Sequence, residues 1–198
     1  MQPPVAVPDL QAFLIIQMDV LSELAQRLGR KKAAQQWKRR SDSLLIRLLD
    51  DMFPDGLPKA FQSGSREPVN NHSLLTYVCV VLGEKLPEHI RKNIVNVLTG
   101  GTFRSEHGFA TEALNSPDYQ SDGYWRGPIW APSTMLIADG LYRCGEKQLA
   151  RDTARRFADM VSASGFAENF DAVTGAGLRD RAYTWTASAF LAIAHEYL

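Results

Sequence analysis

Helix start signals recur along this chain at nearly constant intervals, and their spacing constrains the fold more than any single element does. Starts indicated by a capping residue or a proline fall near residues 9, 71, 128 and 184, so the intervals are 62, 57 and 56 residues. Each interval holds two apolar helical stretches joined by a few residues, whereas the connections between pairs are long. A unit repeated at this period predicts an all-α chain of antiparallel αα-hairpins, with about seven helices and no convincing strand.

The individual helices follow from apolar spacing and from glycine or proline breaks. They are expected at residues 9–29, 30–53, 74–82, 87–99, 129–144, 146–161 and 185–198. Asp9 is expected to cap the first helix after a proline-rich lead, Asn71 or Ser73 the third, and Thr184 the last. The first helix carries apolar residues at the three-four spacing of one buried stripe: Leu10, Phe13, Leu14, Met18, Leu21, Leu24 and Leu28.

The long connections indicate how the hairpins are arranged. Three of them separate the pairs, and in an antiparallel array they lie at the same end, where long loops usually serve a function. The odd helices from the third onward are apolar nearly all round, whereas the second and sixth have charged faces. This division predicts part of an (α/α)6 toroid, with an inner ring inside an outer ring. An open helical solenoid is the alternative, although its repeats are normally shorter.

Composition narrows the class of protein. Twenty-two basic residues balance twenty-two acidic ones among 198, so no net field favours nucleic acid or an anionic membrane as partner. Cys79 and Cys144 lie in apolar helical stretches, which indicates buried thiols in a reducing compartment. The first eight residues lack the basic and apolar segments of a secretory signal. We therefore expect one soluble, cytoplasmic domain spanning residues 1–198.

The segment 122–130, Asp-Gly-Tyr-Trp-Arg-Gly-Pro-Ile-Trp, contains four candidate binding side chains just where a buried helix is expected to begin. Pro128 has the fixed φ suited to a first helical position. A helix N-terminus offers free N–H donors, the rings offer flat apolar faces, and arginine offers a fork of donors. Together these suit a polyhydroxylated ligand such as a sugar. The alternative is that these rings only pack against the end of the hydrophobic core.

A second candidate segment is 165–171, Gly-Phe-Ala-Glu-Asn-Phe-Asp. Glu168 lies between Phe166 and Phe170, and partial burial raises the affinity of a carboxylate for protons, as a general base requires. A solvated loop acid is the alternative. Arg126 is a plausible charge partner for Glu168 if the two loops meet.

Other groups in the first long loop are less specific. Glu106, His107, Glu112 and Asp118 share it, and His107 could act as a proton shuttle or simply lie on the surface. The four histidines lack metal-ligand spacing, and no phosphate-binding glycine loop or Ser-His-Asp arrangement is evident. No metal and no cofactor are expected.

With these residues considered, the chain resembles the C-terminal half of an (α/α)6-toroid glycosidase of the family 63 type, related to trehalases and to bacterial glycogen-debranching, glucosylglycerate and mannosylglycerate hydrolases. Three motifs, in the same order as in the family, carry the resemblance: 124–130 (Tyr-Trp-Arg-Gly-Pro-Ile-Trp), 168–171 with the 174–177 follow-on, and 183–187 (Tyr-Thr-Trp-Thr-Ala). Phe170 stands where tyrosine is common in the family.

The resemblance implies an inverting hydrolase that acts on an α-linked glucoside or a small glycosyl compound. It implies Glu168 as general base and a sugar subsite formed by Tyr124, Trp125, Arg126, Gly127, Trp130 and Trp185. The general acid of the family is an aspartate in a Gly-Trp-Asp type segment before the first helix, and no such segment occurs in these 198 residues.

A closed toroid of this kind has twelve helices, so about seven indicate a fragment that lacks an N-terminal half. Such a half-ring would expose inner-helix flanks, which predicts self-association or pairing with the missing half. The chain alone is then expected to be inactive. A carbohydrate-binding or structural protein without chemistry is the second hypothesis, and a helical scaffold for protein partners is a third.

Overall fold

The computed structural model describes residues 5–198. Pro3 and Pro4 of the proline-rich lead lie outside the described residues. Seven helices run through the described chain, which confirms the predicted all-α class and helix number. The contacts divide the chain into two compact units, one ending at Asn71 and the other being His72–Leu198. The expectation of a single domain stays a prediction.

The first unit is a helical hairpin with a small sheet. Helices α1 (Pro8–Arg27) and α2 (Lys31–Met52) pack against each other along small residues, with Ala12 and Ala34 both buried. Strands β1 (Val5–Ala6), β2 (Ala60–Gln62) and β3 (Pro68–Val69) pair antiparallel in that order. The sequence predicted no strand here, because strands of two or three residues are too short to show a period.

Two expectations for α1 are wrong. Asp9 does not cap the helix, because Pro8 already occupies its first turn, Val7 is the N-cap, and the Asp9 carboxylate accepts a bond from the adjacent Leu10 N–H. The apolar stripe is not buried either. The buried side of α1 consists of Pro8, Ala12, Ile15 and Ala25, whereas these large apolar residues of the helix and its end are exposed: Leu10, Phe13, Leu14, Val20, Leu24 and Leu28. Small residues allow the two helices to approach closely, so the larger side chains are turned outward.

The second unit contains the remaining helices. They are a 3-10 helix (Leu74–Lys85), α3 (Glu88–Thr99), α4 (Ala131–Arg143), α5 (Lys147–Ser164) and α6 (Thr184–Tyr197). Helix α4 contacts the 3-10 helix, α5 and α6, and about half of its residues are buried. A β carbon at Gly140 would lie only 2.8 Å from the Val80 carbonyl carbon, so a glycine permits this close approach. Strands β4 (Asn169–Phe170) and β5 (Gly177–Leu178) form an antiparallel pair between α5 and α6.

The start of α4 differs from the prediction. Pro128 is not its first residue: the helix begins at Ala131, with Trp130 as N-cap and Pro132 in the first turn. The reason is a backbone pairing with the next loop. Ile129 N donates to Phe170 O at 2.7 Å, and Phe170 N donates back to Ile129 O at 3.0 Å, which keeps Ile129 extended. Of the other two predicted N-caps, one is found and one is not. Ser73 accepts the Leu75 N–H as expected, whereas Tyr183 rather than Thr184 is the N-cap of α6.

The core of the second unit lies where α4, α5 and α6 meet the β4–β5 hairpin. Phe157 of α5 and Phe170 of β4 are fully buried and pack edge to face, with ring centroids 6.2 Å apart. Ile193 of α6 and Ile129 complete the same cluster. Among residues 5–198, no helix is long and apolar enough to cross a membrane. This core fixes the hairpin that carries Glu168.

Candidate active site

Trp130 is the centre of an aromatic cluster at the N-terminus of α4. Its side chain is 1% exposed, and its indole N–H donates to the Tyr124 carbonyl at 2.8 Å. Trp125 stacks on it in parallel, with centroids 4.4 Å apart and 5° between the planes. Tyr124 meets Trp130 edge-on at 5.0 Å, and Trp185 of α6 lies 6.1 Å away. The structure therefore brings together all four predicted aromatic residues, of which Tyr124 and Trp185 keep almost half of their surface exposed.

The loop that presents these rings is closed by its own backbone. Gln120 N donates to Arg126 O, and Gln120 O accepts the Gly123 N–H. A β carbon at Gly127 would lie 2.1 Å from Gln120 O, so only glycine fits there. The buried Thr111 hydroxyl donates to Pro128 O and accepts the Gly127 N–H. The role of Gly127 in this structure is thus to let two backbone segments meet.

Glu168 lies on the loop that faces this cluster. The Ile129–Phe170 backbone pair joins the two loops, Glu168 N donates to Asp180 O at 2.7 Å, and the buried Thr186 hydroxyl of α6 donates to Ala167 O at 2.6 Å. Three backbone anchors therefore surround Glu168, whose side chain is partly buried. The two neighbouring phenylalanines pack elsewhere, Phe166 on Phe190 and Phe170 on Phe157.

The Tyr124 hydroxyl connects the aromatic cluster to the Glu168 carboxylate. Desolvation raises the pKa of the Tyr124 phenol, and so does Glu168, both through its charge and through a hydrogen bond with the phenol. Tyr183 also raises that pKa, and Arg179 lowers it. A raised phenol pKa keeps the hydroxyl protonated, and so a donor, at neutral pH.

Arg179 is the site residue that the sequence did not reveal. Its guanidinium donates to Asn169 Oδ1 at 3.1 Å, pairs with Asp122 Oδ1 at 2.5 Å, and lies 5.1 Å from the Tyr124 ring centroid. Arg179 and Tyr124 both have left-handed backbone, with φ of 60° and 63°. This conformation is costly for residues other than glycine and often occurs at functional sites. The only signal in the sequence was an arginine beside the second motif.

The side-chain amide of Asn169 is buried, and its nitrogen is unpaired. Its Oδ1 accepts from Arg179, whereas its Nδ2 has no hydrogen-bond partner. A guanidinium can only donate, so Oδ1 must face it and Nδ2 must face away. An unpaired buried donor costs about 1–3 kcal/mol. The bond to Arg179 therefore fixes an amide orientation that is locally unfavourable.

Arg126 occupies a different place. Its side chain is exposed, and its guanidinium donates to Gln120 Oε1 at 3.1 Å within the same loop. The cation that lies against Tyr124 is Arg179. The predicted pairing of Arg126 with Glu168 does not occur among the contacts of the described residues.

The histidine and one acid of the first long loop have contacts of their own within the fold. His107 packs over Gly175, beside an open groove of about 480 Å³ lined partly by Arg155 and Arg156 of α5. Glu112 is 7% exposed and accepts the Ser116 hydroxyl at 2.6 Å. The sequence did not distinguish Glu112 from its exposed neighbours, because burial of a loop carboxylate leaves no local pattern.

Comparison with solved structures defines the class. A family 63 mannosylglycerate hydrolase from Thermus thermophilus, solved in complex with glucose, superposes with a TM-score of 0.79 at 20% identity, over 96% of this chain and 47% of that one. Neutral trehalase from Saccharomyces cerevisiae gives 0.78 at 16% identity, over 98% of this chain and 38% of that one. The fold is that of the (α/α)6-toroid glycoside hydrolases, and the chain spans about half the length of the first of these structures.

Sequence comparison identifies the particular family. The model of the mannosylglycerate hydrolase MGH1-like glycoside hydrolase domain matches residues 2–186. The chain belongs to this family. Mannosylglycerate hydrolase MGH1 from Selaginella moellendorffii is 33% identical over 76 residues, which are 38% of this chain and 16% of that protein. The resemblance inferred from the three motifs is thereby confirmed.

Proposed function

We propose that this chain supplies the general-base half of the active site of an inverting glycoside hydrolase. The observation that carries the proposal is the Ile129–Phe170 backbone pair, because it joins the loop of the candidate base Glu168 to the loop of the aromatic cluster. A base near a sugar subsite is one of the two groups that an inverting hydrolase requires. The other group, a general acid, is expected from polypeptide outside these 198 residues.

The aromatic cluster is suited to hold a sugar ring. Trp185 and Tyr124 keep exposed ring surface beside the buried Trp130, and Trp125 is stacked on it. Flat apolar faces pack against the C–H side of a pyranose while polar groups contact its hydroxyls. Arg126, exposed on the same loop, is the proposed donor to a hydroxyl or carboxylate.

The chemistry assigned to Glu168 is proton abstraction from water. The carboxylate takes one proton as the water oxygen bonds to the anomeric carbon, and the acid gives a proton to the leaving oxygen as the glycosidic bond breaks. The two carboxyl groups of an inverting enzyme are about 6.5–9.5 Å apart, which leaves room for that water. A carboxylate offers about four lone-pair sites, so Glu168 keeps acceptor capacity for the water even when the Tyr124 phenol donates to it.

The proposed substrate is a small α-linked glycosyl compound of the glycosylglycerate type. Named relatives of this chain are mannosylglycerate hydrolases and a glucosylglycerate hydrolase. A family 63 mannosylglycerate hydrolase with the same fold was solved with Tris and D-glycerate. A compound of this type presents both a sugar ring and a carboxylate, which match the rings and Arg126 respectively.

The exposed side of α1 is proposed to contact further polypeptide. Leu10, Leu14, Leu24 and Leu28 are each between 39% and 69% exposed on one helix and its end. A row of large apolar side chains is rarely left in water. Because the solved structures are about twice as long as this chain, the proposed occupant is the other half of the ring, and self-association is expected when that half is missing.

The decisive experiment is a hydrolysis assay with mannosylglycerate and glucosylglycerate. The 198-residue chain is assayed alone and together with an N-terminal half-domain, and the anomer first released is identified by proton NMR. We expect turnover with inversion only in the completed protein, reduced at least about 100-fold in Glu168→Gln and unchanged in Glu106→Gln. Turnover by the chain alone that Glu168→Gln leaves unaffected would sink both the base assignment and the half-site proposal.

A second candidate function is sugar binding without chemistry. The observation that favours it is the aromatic cluster itself, because stacked and exposed rings suit a sugar without any reacting group beside them. The same assay separates the two functions, because a binding protein retains affinity for the sugar but shows no turnover even after the N-terminal half is added.

A further inference from the structure

Arg179 contacts three residues of the candidate site, which lie in two separate segments. It follows β5, bonds to Asn169 of β4, and reaches across to the loop of Asp122 and Tyr124. It also donates to the Asp122 carbonyl at 3.1 Å. Only a planar guanidinium can bind a carboxylate, an amide oxygen and a carbonyl while its face covers a ring.

Tyr124 is therefore held from two directions. Arg179 lies against its ring face, and Glu168 raises the pKa of its hydroxyl. The backbone of Tyr124 is left-handed, a conformation that surrounding contacts must maintain, and Arg179 has the same feature. The side chain of Arg179 is 29% exposed and that of its partner Asp122 is 64% exposed, so the guanidinium is the more buried half of the ion pair.

We infer that Arg179 is a positioning residue that fixes the Tyr124 ring so that its hydroxyl is directed at the Glu168 carboxylate. It has no contact with the reacting atoms, and it acts through Tyr124 and Asn169. Without it the left-handed turn at Tyr124 relaxes, the phenol leaves Glu168, and the Asn169 amide is free to turn toward another partner. The inference rests on the proposed role of Glu168 as general base, but its structural part is tested separately.

The test measures ionisation of Tyr124 in the 198-residue chain labelled with carbon-13 at tyrosine Cζ. The Tyr124 signal is assigned with Tyr124→Phe, and the phenolate fraction is read at pH 10. The groups facing this phenol are Glu168, Tyr183 and Arg179. An ordinary tyrosine is about half ionised at that pH, and desolvation together with the nearby Glu168 should keep Tyr124 below half.

The two possible roles of Arg179 give opposite results. If it positions the ring, Arg179→Gln frees the phenol and the phenolate fraction rises toward about one half. If it acts only as a nearby positive charge, its removal raises the pKa and the fraction falls. Arg179→Lys keeps the positive charge but loses the planar set of N–H donors. Its phenolate fraction should therefore lie between those of wild type and Arg179→Gln. Arg181→Gln, an exposed arginine two residues later, is the matched control and should match wild type.

An unchanged or lower fraction in a folded Arg179→Gln protein overturns the inference. If that variant does not fold, as judged from its amide spectrum, Asp122→Asn removes one anchor of Arg179, and the same direction of change is required. In the completed enzyme, Arg179→Gln should lower kcat about tenfold with little change in KM. Absence of turnover in the wild type refutes the proposed function alone, whereas a wrong phenolate response refutes the positioning role alone.

Discussion

Trp125 and Trp130 stack in parallel with ring centroids 4.4 Å apart, the closest ring pair of the aromatic cluster. Trp130 is buried and fixed by its bond to the Tyr124 carbonyl, whereas Trp125 is only partly buried. The buried ring thus supports a more accessible one. A ligand that packs on Trp125 meets a rigid surface, which reduces the entropy lost on binding.

Trp125→Ala is expected to weaken binding of mannose or glucose at least about tenfold, or ~1.4 kcal/mol. The variant removes the accessible ring while Trp130 keeps its own hydrogen bond. Isothermal titration of the 198-residue chain with each sugar measures the loss. Trp37→Ala is the control, because Trp37 lies on α2 of the first unit. Equal affinities in wild type and Trp125→Ala would exclude this ring from the subsite.

Gly127→Ala is expected to destabilise the second unit by at least about 2 kcal/mol. The new β carbon would lie 2.1 Å from Gln120 O, which is backbone and cannot rotate away. Thermal unfolding should shift by about 4–8 °C or more for a chain of this size. Gly145→Ala is a control with a similar backbone penalty, since φ is +92° but nothing lies within 4 Å. Equal shifts in the two variants would show that the close approach carries no cost.

Thr186→Val is expected to cost about 1–3 kcal/mol, because it leaves the Ala167 carbonyl without the 2.6 Å bond from the buried hydroxyl. That carbonyl is adjacent to Glu168, so hydrogen exchange at the Glu168 amide should also accelerate. Ser188→Ala, on the exposed side of α6, removes a hydroxyl bonded within its own helix and should change stability by less than about 0.5 kcal/mol. Similar losses from both variants would contradict a specific anchor.

Asp152 gives an expectation about acid stability. Burial by itself raises the pKa of its carboxyl, but hydrogen bonds from Arg156 and Arg104 outweigh it and leave the pKa lowered. A lowered pKa stabilises the fold above the unfolded value of about 3.9, and the contribution is lost as pH falls through the folded value. Asp152→Asn should reduce stability at neutral pH by less than about 1 kcal/mol, because the side chain is 35% exposed.

This effect should shrink as the pH falls below the unfolded value of about 3.9, because the wild-type carboxyl also takes up a proton there. Urea unfolding from about pH 2 to 7 measures it, and Asp159→Asn, an exposed acid on the same helix, is the control. A constant difference between wild type and Asp152→Asn across that range would exclude the linked protonation.

The sequence predicted the helix number and the aromatic cluster because both depend on repeated or adjacent residues. It was wrong about the environment of α1, where apolar spacing gave a buried stripe but the small residues Ala12 and Ala25 form the buried side. Periodicity identifies an apolar face without stating what covers it. The start of α4 was placed too early for a similar reason: Pro128 suits a helix, but the pairing of Ile129 with Phe170 is a long-range contact.

Arg179 was missed because nothing local distinguishes it. It contacts Asp122, which lies 57 residues earlier in the chain. Its backbone is left-handed, and an arginine in a sequence gives no sign of that conformation. Glu112 was named with its loop neighbours but not singled out, since only the folded chain shows which of several loop acids is buried. A sequence motif identifies functional residues that are close together in the chain. Residues that work by joining distant segments can be identified only from the structure.

The Ile129–Phe170 pairing has a consequence for how such a protein can change over generations. It holds the ring-bearing loop and the carboxylate-bearing loop together through main-chain atoms alone. Side chains on either loop that take no part in the Arg179 contacts or in the close approach at Gly127 can be exchanged without altering that spacing. New sugar preferences can therefore arise by substitution at the ring positions, while the distance from base to subsite is inherited unchanged.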